Sequence, residues 1–123
     1  MANEQTVGVT FTASKGGASI PSAAWNGSFD MTGTHMDAPT QSIGTSNEAL
    51  DFNTTDITGD VNLAVKNLDA SNYVEIFKDS GNSHLLSKLL PGQACMLMNV
   101  PSASLYGRAN TAAVLVQFKI AQA

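Results

Sequence analysis

The stretch Ala113-Val114-Leu115-Val116-Gln117-Phe118-Lys119-Ile120 sets Val114, Val116, Phe118 and Ile120 against Ala113, Leu115, Gln117 and Lys119. Successive side chains of a strand point to opposite faces, so this period of two predicts a half-buried β-strand. The turn Asn110-Thr111 precedes it, after a brief extended segment from Leu105 to Ala109. Further back, Gln93 to Val100 is a strongly apolar strand, closed by Pro101-Ser102-Ala103-Ser104. Ser83 to Leu90 is ambiguous: Leu85, Leu86, Leu89 and Leu90 fit a helical stripe, but Pro91-Gly92 ends the segment at once, which favours a strand.

The same reading extends toward the N-terminus. Tyr73 to Phe77 is a strand, and Val61 to Leu68 is another, with Val61, Leu63 and Val65 in phase. Gln41 to Thr45 and Ala49 to Phe52 are short candidate strands around Ser46-Asn47-Glu48. Trp25 to Met31 alternates, with Gly27 a candidate bulge, and Val7 to Phe11 reads as a half-buried strand broken by Gly16-Gly17. Residues 1–5 are polar and read as a flexible arm. About seven to nine short strands, with turn signals every eight to twelve residues or so, predict an all-β antiparallel sandwich over residues 1–123 as one domain. Short strands and several long connections favour a jelly roll.

Composition narrows the function. Charged residues make up 13% of the chain, about half the usual globular share. Interface cores are depleted in charge, so a charge-poor surface suits an assembled subunit. Lys15, Lys66, Lys78, Lys88, Arg108 and Lys119 are scattered and the net charge is −4, which argues against direct nucleic-acid binding. The N-terminus has no apolar signal-peptide region and no stretch reaches the length of a membrane span. A single cysteine, Cys95, permits no internal disulfide, and its apolar context reads as a small buried hydrophobe. Synthesis in a reducing cytoplasm follows as the expectation.

Catalytic, metal and cofactor sites are not expected. His35 and His84 stand apart, although Asp37 near His35 offers a pH-sensitive contact. Lys15-Gly16-Gly17 lacks the rest of a phosphate loop, and Asp56 and Asp60 do not have EF-hand spacing. Asp30, Asp37, Glu48, Asp51 and Glu75 supply carboxylates, but no pair stands out. Met96 and Met98 lie on the face opposite Leu97, so both faces of that strand are apolar and one is a candidate subunit interface.

The C-terminal half carries a recognisable order of turns. Leu63-Ala64-Val65-Lys66-Asn67-Leu68-Asp69-Ala70-Ser71-Asn72-Tyr73-Val74-Glu75-Ile76 leads to Leu89-Leu90-Pro91-Gly92-Gln93-Ala94, then to Ala109-Asn110-Thr111 and the final strand. Asn67, Asp69, Asn72, Pro91, Gly92 and Asn110 are the turn residues. This half resembles small tailed-bacteriophage proteins encoded among virion structural genes. The resemblance implies a virion component made in the host bacterial cytoplasm. A capsid decoration or head accessory protein stands first, bound to the major capsid protein, to copies of itself, or to both. A neck or tail component is the alternative. A carbohydrate-binding β-sandwich using Trp25, Tyr73 or Tyr106 is a reading of another class, and a cupin-like enzyme lacks the histidines it needs.

Overall fold

The computed structural model describes residues 4–21 and 23–123. Two compact units divide the chain, Met1–Thr32 and Gly33–Ala123. Among the described residues there are thirteen strands, four of them only two residues long.

The first unit is a β-ribbon. β1 (Gln5–Phe11) pairs antiparallel with β4 (Ala23–Phe29). Beyond them, β2 (Ser14–Lys15) and β3 (Ala18–Ser19) form a small hairpin. Its turn is Gly16-Gly17, with φ of +61° and +86°, a left-handed geometry that glycine adopts without steric cost. Of the expected flexible arm, residues 1–3 lie outside the described residues. Gln5 already belongs to β1, and the Glu4 carboxylate accepts a bond from the Met31 backbone N–H.

The second unit is the sandwich. β5 (Met36–Asp37) and β6 (Thr40–Ile43) lie along the same side of β13 (Val114–Gln122). Pro39 sits between them, where a missing N–H costs an edge strand little. Together they act as one interrupted strand, and β13 also pairs with β8 (Asp60–Asn67), which pairs with β11 (Ala94–Pro101). The second sheet runs β7 (Glu48–Ala49), β12 (Tyr106–Ala109), β9 (Val74–Phe77), β10 (Leu85–Leu89). Every pairing is antiparallel. From the β5/β6 edge the chain crosses to β7, back to β8, over to the β9–β10 hairpin, back to β11, over to β12 and home to β13. Eight strands in two four-membered sheets with these nested crossings make a jelly roll.

The alternation seen in the sequence decides what is buried. Val114, Val116, Phe118 and Ile120 of β13 face inward with Val61, Leu63 and Val65 of β8. Val74 and Ile76 of β9, Leu89 and Ala109 meet them from the other sheet, while Leu50, Phe52, Ile57 and Leu105 close the ends. Each of the Val, Leu, Ile and Phe side chains contributes roughly 1.5–3 kcal/mol on burial.

Ser83 to Leu90 forms a strand, and its helix-like spacing has a local cause. Leu85 pairs with Phe77 and Ser87 with Ile76, so Leu86 is an extra residue that shifts the phase. The bulge lets both Leu86 and Leu89 reach the core. At Gly27 there is no bulge: it pairs in register with Val7.

Candidate assembly surface

The six turn residues come together at one end of the jelly roll. Asn67 is the last residue of β8 and is fully buried. Its amide nitrogen donates to the carbonyls of Asn72 and Leu89, both at 2.9 Å, and its Oδ1 accepts from the Asp69 N–H at 2.8 Å. Its own backbone binds the 90–93 turn, through Gln93 O and the Gly92 N–H. Gly92 has φ +80° and follows Pro91 in that turn. The Asp69 carboxylate accepts from the N–H groups of Ser71 and Asn72, and these bonds hold its pKa below the usual value. The Asn72 side chain accepts from the Thr111 hydroxyl, and Asn110 donates its N–H to the Tyr73 carbonyl. All six therefore act as fasteners: one buried amide and its neighbours tie three loops together. Of the six only Asp69 is ionisable, and its carboxylate is taken up by backbone N–H groups.

Met96 and Met98 sit on β11. Cys95 and Leu97 pack against the core, whereas Met96 is half-buried and Met98 is exposed. On the outer face of β11, β8 and β13, Ala64, Ala94, Lys66, Gln117 and Lys119 help line a shallow depression of about 200 Å³. Small alanines flanked by two lysine stems give this face little relief and no converging acids. Burial pushes the Cys95 thiol pKa up, which keeps it in the unreactive protonated form.

The opposite sheet has a different exterior. Lys88, Glu75 and Arg108 occupy one cross-strand row. Arg108 reaches the Glu75 carboxylate at 3.1 Å and lies over the Phe77 ring, and Lys88 lies over Tyr73. That is a solvated, internally paired face. The aromatic candidates for glycan binding are dispersed: Tyr73 precedes β9, whereas Tyr106 pairs with Phe77 at the far end of that strand, about 13 Å along it. Trp25 belongs to the ribbon.

Three of the carboxylates named as candidate acids, Asp37, Glu48 and Glu75, serve the local fold. Asp37 accepts from the backbone of Ala38 and Asn53, and the His35 backbone pairs with Gln122. Glu48 accepts from Gly44 and Gln41, and Glu75 holds Arg108. The His84 ring lies 3.6 Å from Asp79 in an exposed turn. Among the described residues, no three His, Cys, Asp or Glu side chains gather as a metal site.

The ribbon is where apolar surface is left open. Strand pairing puts Val7, Val9 and Phe11 on the same face as Gly27, Trp25 and Phe29. Trp25 is 74% exposed, Phe11 70%, Phe29 46% and Val9 41%. The Phe29 ring lies over Gly27, where a Cβ would come within 2.6 Å of it. The other face carries Thr6, Thr10, Asn26 and Ser28, with the Asn26 side chain over Gly8. The ribbon is thus amphipathic, and its apolar face is bare. Sequence reading treats Val7 to Phe11 as half-buried and weighs Trp25 only for sugars. The available signal was pairing: two alternating segments around Gly16-Gly17 form a hairpin whose apolar rows coincide. Comparison with family models, with curated proteins and with solved structures finds no match for this chain.

Proposed function

We propose that the chain is a structural subunit of a tailed-bacteriophage virion, a capsid decoration or head accessory protein that binds the assembled shell and copies of itself. The observation that carries this reading is a closed jelly-roll core joined to a ribbon with a bare aromatic face. A jelly roll serves capsid proteins, lectins and enzymes alike, so the fold alone selects none of them. An exposed contiguous apolar face marks an association surface. The shortage of charge and the turn order of the C-terminal half support the same reading. Met96, Met98 and the small-residue face beside them extend the surface available to neighbours. On a symmetric shell, many weak contacts add up through avidity.

Quantitative mass spectrometry of purified particles from the phage that encodes the chain tests this. On the order of a hundred or more copies is the decoration result; about a dozen or fewer is the neck or tail result set by ring symmetry. Absence from the particle overturns the proposal.

A further inference from the structure

We infer that β11 is a docking edge, extended by an added antiparallel strand from a protein partner whose acidic side chain pairs with Lys66. The direction of the backbone groups comes first. The Asn67 N–H donates to Gln93 O, toward β11, and the Leu68 N–H donates to Leu115 O, toward β13. These groups alternate along a strand, so Val65 and Leu63 also bond toward β11, where their partners are Cys95 and Leu97. The N–H and C=O groups of Ala94 and Met96 therefore point away from β8, and β11 has no other neighbour in its sheet. Among the described residues nothing bonds them. Open edges invite pairing, and the other sheet edges of the jelly roll are blunted. β7 is two residues long, Pro39 interrupts the β5–β6 side, and β10 carries Lys88 and the Leu86 bulge. β11 carries no charge from Ala94 to Pro101, and its own bulge and Pro101 close only the far end.

Charge selects the occupant. Lys66 and Lys119 line the depression with Ala64 and Ala94, and among the described residues neither lysine has an ion-pair partner. Lys66 pairs with Ala94, whose small side chain leaves the way to the edge clear. A residue bonded to Ala94 across that edge stands two strand spacings from Lys66, about 10 Å, a gap that a lysine and a glutamate bridge from its two sides. The β11 strand of a second copy cannot supply this, because it has no acidic residue. The position opposite half-buried Met96 takes an apolar side chain. The partner is therefore an extended segment whose backbone fills the edge and whose apolar and acidic side chains alternate with the outward face.

The inference deepens the assembly reading by naming what one partner presents, and its test uses the purified full chain without particles, so the two can fail separately. Amide exchange is followed by NMR with and without the synthetic peptide Val-Thr-Val-Thr-Glu-Thr, whose second valine falls opposite Met96 and whose glutamate falls opposite Ala94. In the free chain the amides of Cys95 and Leu97 are protected, whereas those of Ala94 and Met96 exchange freely. Saturating peptide slows exchange at Ala94 and Met96 by about tenfold or more. N-methylation of the second valine removes the N–H donated to the Met96 carbonyl and weakens binding by about tenfold. Lysine in place of the peptide glutamate weakens binding several-fold at low salt, as does Lys66→Glu in the chain, and the two changes together restore it. Protection of Ala94 and Met96 in the free chain, a peptide bound elsewhere, glutamate and lysine peptides bound alike, or no binding at millimolar peptide would each overturn the inference. Protection that grows with chain concentration alone would give the edge to a second copy and overturn it too. Peptide binding with no copies in the virion would instead sink only the proposed function.

Discussion

At the scale of single residues, the jelly roll depends on a few buried polar groups more than on any one apolar contact. Asn67 is fully buried and satisfies two carbonyls and one N–H, from the β8–β9 connection and the end of β10. Replacing it strands those groups away from water. Asn67→Ala is expected to cost roughly 3 kcal/mol in urea denaturation, more than its lost area predicts. Asn67→Asp keeps the shape but places an oxygen where two carbonyls need a donor, and it is expected to cost at least as much at neutral pH. Exposed carboxylates act differently. The Ser83 hydroxyl, followed by the N–H groups of Ser83 and His84 and the His84 charge, holds the Asp79 pKa down to about 2 from its ordinary 3.8. Asp69 is lowered by the N–H groups of Ser71 and Asn72. A carboxyl whose folded pKa is depressed contributes stability above its unfolded pKa and loses it as pH falls through the folded one. Thermal melts should therefore show Asp79→Ala below the parent by a few degrees at pH 7, with the gap closing between about pH 4 and pH 2. A gap that persists at pH 2 would assign the effect to something other than the charged carboxyl.

At the scale of elements, alternation was legible wherever both faces of a strand had clear fates. Val114 to Ile120 of β13 follow their sequence pattern residue for residue, and β8 keeps Val61, Leu63 and Val65 inward although Asn62 is buried too, because a one-residue slip would turn the inward side chains to water. Bulges blur the pattern. In β11, Leu97 pairs with Leu63 and Val100 with Val61, so one extra residue lies between them. Asn99 takes φ +55° there, and its N–H donates to the Asn62 side chain at 2.9 Å. The bulge keeps Leu97 packed on the core and Val100 buried in spite of their odd spacing. Asn99→Gly is expected to be near neutral, whereas Asn99→Val, forced into left-handed geometry, should lose about 1–2 kcal/mol in chemical denaturation. Equal effects of the two would mean that Asn99 is held by something other than its backbone geometry. The two-residue strands β2, β3, β5 and β7 left no periodic trace, since two residues cannot show a period of two. The turn residues were legible as turns, but their convergence was not. Asn67 donates to Leu89 across 22 positions of sequence, and only the topology brings them together. The ribbon was half legible. Its strands are written in the alternation, yet a strand whose apolar face is bare reads the same as one whose face is covered.

At the scale of the whole molecule, the distribution of burial separates stability from association. Every described hydrophobic residue in the core lies between Ile43 and Ile120, and none belongs to residues 4–32. A two-stranded ribbon with no third strand and no packed face is marginal by itself. The sandwich, in contrast, has two sheets and its own closing loops. Gln122 secures its open side by accepting from the N–H groups of Thr34 and His35 and donating to the carbonyls of Asp56 and Thr58. A chain shortened to residues 33–123 should therefore fold as the jelly roll, with a melting temperature within a few degrees of the full chain. It should bind purified particles more weakly than the full chain does, because the Trp25 and Phe11 surface is gone. Far-ultraviolet circular dichroism with a cooperative melt checks the first half, and co-sedimentation of both chains with particles checks the second. A shortened chain that melts without cooperativity would place part of the stabilising core in the ribbon. One that folds and binds as well as the full chain would move the principal contact onto the jelly roll, where the Met96 face is the surface left to make it.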